Sequence, residues 1–93
     1  MGKIGRGTSW KAHRLMDRLE IDGRAHTVDL VARRATGVQG YRVTVVFLPH
    51  DGGPEREVPL PNAATNADVN RMVRELAGQE EVLTRMYREG SGP

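Results

Sequence analysis

Histidine and carboxylate side chains are the groups in this sequence that can move a proton near neutral pH. The histidines stand at 13, 26 and 50. His13 and Asp17 are four residues apart, so they share one face if that segment is helical. His26 follows in a strand beside a tight turn and can approach them. These are the parts of a His–Asp dyad, but no serine or cysteine nucleophile is paired with them, and a surface pair is the stronger reading. His50-Asp51 runs into Gly52-Gly53 and reads as a solvated turn. No HExxH, EF-hand or His/Cys ligand spacing occurs. Cysteine is absent, which excludes disulfides, thiolate zinc sites and Cys nucleophiles. The expectation is a protein that is not an enzyme, with no metal and no cofactor.

Cations are the second source of chemistry. Fourteen residues are basic and twelve acidic, a net charge of +2. The balance is uneven along the chain. Residues 1–50 hold nine basic and four acidic groups, a surplus of +5; residues 51–93 hold five and eight, a surplus of −3. Twelve of the basic residues are arginine, which grips phosphate with two parallel hydrogen bonds and stacks on bases. The same bias also follows from a GC-rich genome. Arg24, Arg33, Arg42, Lys11 and Arg14 are the candidate nucleic-acid contacts, and this reading expects Arg24, Arg33 and Arg42 to lie together. Arg33 and Arg34 are adjacent in a strand and must point to opposite faces. Aromatic side chains for base stacking are few: Trp10, Tyr41, Phe47 and Tyr87. Trp10 is expected to anchor in the core because of its large apolar area. Arg71, Arg74, Arg85 and Arg88 read as solvated helix residues, with Arg71–Glu75 and Glu81–Arg85 pairs at i, i+4.

The elements that must position these residues follow from hydrophobic spacing. Residues 1–8 are rich in glycine and read as a flexible basic arm. They resemble a phosphate loop only in their glycines, because the lysine and the preceding strand are missing. Residues 9–22 carry two patterns. Ala12, Leu15, Met16 and Leu19 have helical spacing, whereas Leu19-Glu20-Ile21 alternates into Asp22-Gly23, a strong hairpin signal. A short helix followed by a strand from about Arg18 accommodates both. A strand over 25–35 and a loop over 37–40 come next. The strand over 41–48 is apolar on both faces, which marks a central position with cover on each side. A short strand over 57–60 carries Pro59 and so belongs at an edge. Thr65 with Asp68 forms a capping signal, and Val69, Met72, Val73 and Leu76 make an apolar helical stripe. Val82, Leu83, Met86 and Tyr87 make a second, with a turn at Gly78. Residues 90–93 read as a disordered tail.

The fold expected is therefore α+β: a three- or four-stranded antiparallel meander with one or two C-terminal helices packed on one face, a single domain over 9–89. Residues 56–89 superficially resemble a ribbon-helix-helix unit, but Pro59 interrupts its strand and the second helix lacks a basic start. The order helix, three strands, helix is similar to double-stranded-RNA-binding domains. Their basic cluster at the last helix is replaced here by Asn66-Ala67-Asp68-Val69-Asn70. Neither family is assigned. No run of 18 apolar residues and no secretory signal pattern occurs, so a soluble, cytoplasmic protein without membrane contact is expected. The function expected is a small non-catalytic binding module for DNA or RNA through the basic half. The alternative is a protein-interaction module, a homodimer or a subunit of a larger complex with another protein.

Overall fold

A computed structural model describes residues 10–34 and 40–90. The chain forms β1 (Trp10–Ile21), β2 (Arg24–Arg34), β3 (Tyr41–Pro49), β4 (Arg56–Pro59), α1 (Asn66–Leu76) and α2 (Glu80–Gly90). The four strands make one antiparallel sheet in the order β1-β2-β3-β4, with both helices following in sequence. This is the expected α+β meander. The arm over 1–8, the loop at 37–39 and the tail at 91–93 lie outside the described residues, as does the side chain of Trp10. Gly90, expected in the tail, ends α2.

The helical reading within residues 9–22 is corrected: Trp10–Ile21 is strand throughout. The physical reason is a pair of irregularities in β1. Between Arg14 and Met16, β1 advances two residues while β2 advances one; between Met16 and Leu19 it advances three against two. Each extra residue shifts the alternation of faces. Leu15, Leu19 and Ile21 all become buried and Met16 packs beside them, so a strand acquires apolar spacing that mimics a helix. Asp22 and Gly23 both take positive φ, 55° and 81°, which the tight turn between β1 and β2 requires.

The core lies between one face of the sheet and the helices. β2 contributes His26, Val28, Leu30 and Ala32; β3 contributes Val43, Val45 and Phe47; β4 contributes Val58. In register, Val28 opposes Phe47, Leu30 opposes Val45, and Val45 opposes Val58. Val69 of α1 and Leu83 of α2 are buried against them, with Met72, Val73, Leu76, Met86 and Tyr87 partly buried.

Local chemistry fixes the helices. Thr65 Oγ1 accepts a hydrogen bond from the Asp68 amide at 3.2 Å, the expected N-cap. The helices separate at Gly78, whose amide donates to the Leu15 carbonyl at 3.2 Å and ties that corner to β1. Tyr87 meets Phe47 and His26 edge-on, with ring centroids 5.2 and 5.3 Å apart, and the Arg56 guanidinium lies over its ring at 4.3 Å. Pro59 sits on the edge strand β4, where no further strand asks for its missing amide.

Candidate interaction face of the sheet

Strand alternation sends every second side chain away from the helices. The register sets these side chains in rows across the sheet. Arg33 opposes Arg42; Ala12 opposes Val31, which opposes Thr44, which opposes Pro59; Arg14 opposes Asp29, which opposes Val46, which opposes Glu57. Thr27 opposes Leu48 in the last row. This face holds a trough of about 470 Å³. Ala12, Val31, Thr44, Val46 and Leu48 floor it, Arg33 and Arg42 stand at one end, and Glu55 and Glu57 stand along β4. The floor is mixed in exposure: Val46 is 9% exposed, Val31, Thr44 and Leu48 are half-buried, and Ala12 is exposed.

The five candidate basic residues do not form one cluster. Arg33 and Arg42 are direct cross-strand neighbours. Arg24 lies at the far end of β2, nine residues or about 30 Å along the strand from Arg33, and its guanidinium pairs with Asp51 at 3.4 Å. The expectation that Arg24 joins Arg33 and Arg42 is thus corrected: the two ends of β2 are far apart, and strand alternation puts positions 24 and 33 on opposite faces. Arg14 is on the open face but is already engaged by Asp29 at 2.6 Å and Asp17 at 2.7 Å. Hydrogen bonds to Asp29, then to Asp17, raise its pKa further and fix it as a charged, partnered group. Lys11 opposes Ala32 on the helix side of the sheet and is exposed. Arg18 pairs with Glu20 at 3.0 Å, and Arg88 with Asp22 at 2.8 Å. Arg71 pairs with Asp68 at 2.7 Å, three residues before it, in place of the expected Glu75.

Arg33 and Arg42 are different. Neither side chain makes a hydrogen bond or ion pair with the described residues. Two like charges directly opposed across strands repel. Glu55 and Glu57 likewise have no ion pair among the described residues. Arg42 and Glu57 are two rows apart, about 13 Å along the strands and one strand sideways. That is too far for them to pair within one chain. The sequence argument missed the two glutamates as site residues. The signal was present: alternation with Val58 inside puts 55 and 57 outside.

The histidines do not assemble. His13 opposes Leu30 in β1, and Asp17 is engaged by Arg14, so the strand geometry overturns the dyad. His26 is a core residue, 1% exposed, whose Nδ1 donates to the Arg24 carbonyl at 3.0 Å. Its Nε2 has no hydrogen-bond partner among the described residues. His50 Nε2 lies 2.8 Å from Thr27 Oγ1, which itself donates to the Asp17 carbonyl. Among the described residues no cluster of three or more His, Asp or Glu is placed to hold a metal ion, and no helix is long and apolar enough to cross a membrane. Set against known protein families, curated proteins and solved structures, the chain matches none.

Proposed function

We propose that this protein is a small non-catalytic protein-interaction module that acts as a homodimer through the open face of its sheet. One observation carries the reading: both helices follow β4 and pack on a single face, which leaves the trough of Val31, Thr44, Val46 and Leu48 without a covering layer among the described residues. An apolar strip rimmed by charges is the usual anatomy of a protein contact. The face spans four strands and four rows, about 500 Å² per copy in projection. A pair of such faces buries about 1,000 Å², the lower end of specific interfaces, so the association is weak and concentration-dependent. Sedimentation equilibrium tests this. The wild type should pass from the 10.3 kDa monomer toward twice that mass as concentration rises. Val31→Glu, which charges the floor of the trough, should stay monomeric with an unchanged circular dichroism spectrum. A wild type that is monomeric at millimolar concentration overturns the reading.

A second reading, nucleic-acid binding, is favoured by the Arg33–Arg42 pair, which has no ion pair with a carboxylate among the described residues. Two guanidiniums side by side suit one or two backbone phosphates. The reading uses only one end of the face, and Glu55 and Glu57 oppose any polyanion laid along the rest. Fluorescence anisotropy with labelled single-stranded DNA, duplex DNA and RNA separates the two readings.

A further inference from the structure

Resting on the homodimer reading, we infer that the two copies are held in one register by charge. Arg42 of each copy stands beside Glu57 of the other and Arg33 stands over its Asp29, about a two-fold axis that runs across the strands at the Val31–Thr44 row. Among the described residues, one face carries two cations with no counter-ion and two carboxylates with no cation. The cations oppose each other directly, so they gain from any anion brought over them.

A two-fold interface joins a patch to itself, so a surface with separated plus and minus ends satisfies both ends at once. The row geometry says where the axis must fall. Arg33 and Arg42 lie one row above Val31–Thr44, and Asp29, Val46 and Glu57 lie one row below. An axis through the Val31–Thr44 row exchanges those two rows. Arg42 of one copy then stands over Val46 of the other, one strand from Glu57. That offset is about 5 Å, which an arginine side chain spans. Arg33 stands over Asp29, whose carboxylate is the more enclosed, 17% exposed and held by Arg14. Apolar floor meets apolar floor between the two charged zones. The aligned packing angle of sheet on sheet, about 30°, leaves this exchange intact.

The test is charge exchange. The double variant Arg33→Glu/Arg42→Glu turns the cationic end acidic, and Glu55→Arg/Glu57→Arg turns the acidic strip basic. Each alone should be monomeric at concentrations where the wild type dimerises, because both zones then repel. Mixed one to one, they should form a heterodimer, because every zone again pairs opposite charges. Sedimentation of the two variants separately and mixed reads the result. Added salt should weaken the wild type and the mixed pair alike. If Val31→Glu abolishes dimerisation but both charge variants still dimerise alone, the face is the interface and this register is wrong. If both are monomeric and the mixture stays monomeric, the register is also wrong. A wild type that never dimerises fails the homodimer reading itself, a different outcome from either.

Discussion

Gly40→Ala, at a buried glycine, should destabilise the protein more than the same change at the exposed turn glycine Gly52. Gly40 opens β3 with φ at 90°, and a methyl group there would fall against the Ala63 carbonyl oxygen and within 3.1 Å of the Ala64 Cα. That carbonyl accepts from the Tyr41 amide at 2.7 Å, and the Ala63 amide donates to the Tyr41 carbonyl at 3.0 Å. The bridge holds the segment leading into α1 against β3. The left-handed backbone costs an alanine about 1–2 kcal/mol. Loss or distortion of the two bridge hydrogen bonds costs about 0.5–1.5 kcal/mol each. The sum, about 2–5 kcal/mol, lowers a urea midpoint by about 1.3–3.3 M if m is near 1.5 kcal/mol per M. Gly52→Ala is the control. Its φ is 84°, but nothing lies within 4 Å of the added carbon. It should lose only the backbone cost, about 1–2 kcal/mol. Urea unfolding followed by far-ultraviolet circular dichroism measures both. Equal losses for the two variants would refute the reasoning, since the close approach to Ala63 would then contribute nothing.

Other outcomes follow from single contacts. Leu83 is fully buried beneath α2, so Leu83→Ala should cost about 2–5 kcal/mol by the same unfolding assay. Thr65→Ala removes the cap on the Asp68 amide and should cost about 1 kcal/mol, whereas Thr65→Ser, which keeps the capping hydroxyl, should cost nothing measurable. Arg56→Ala uncovers the Tyr87 ring and should cost about 1 kcal/mol, seen as a lower thermal midpoint. At low salt the wild type should bind none of the labelled nucleic acids. If it does bind, with a log–log salt slope near −2 that Arg33→Ala/Arg42→Ala abolishes, two phosphates are being neutralised and the nucleic-acid reading takes over.

Alternation and turn chemistry made most of the fold legible. Tyr41–Pro49 lies inside the sheet as its two-sided apolar pattern required, Pro59 sits at an edge, and the helices part at Gly78. The failure at β1 has a definite cause. Pattern reading assumes a fixed period, and two added residues in one strand break it, leaving spacings of three and four that belong to a helix elsewhere. Only the pairing partner reveals the difference, and the partner is a tertiary fact. His26 was hidden for a related reason. Its position on the inward parity of β2 was readable, but its burial depends on Tyr87, sixty-one positions away, closing over it. The open face was readable by parity on each strand separately. What parity cannot give is the row register that sets Arg33 beside Arg42 and Glu57 beside Val46.

The uneven charge of the chain becomes something else once folded. By sequence, the first half is basic and the second acidic. The sheet then places β4, from the acidic half, next to β3, from the basic half. Arg14, Arg18 and Arg24 take counter-ions from Asp29 and Asp17, Glu20 and Asp51. Among the described residues, this surplus leaves on the open face two opposed cations whose side chains have no counter-ion, with Glu57 about 13 Å along the strands from Arg42 and Glu55 one row farther. A polyanion gains from the first pair and is repelled by the second, and at low salt, where screening reaches beyond 10 Å, both effects act together. A second copy turned over uses both pairs with the same sign of benefit. The charge pattern and the apolar floor thus favour the same occupant, and exchanging the charges between two variants changes the prediction for that occupant alone.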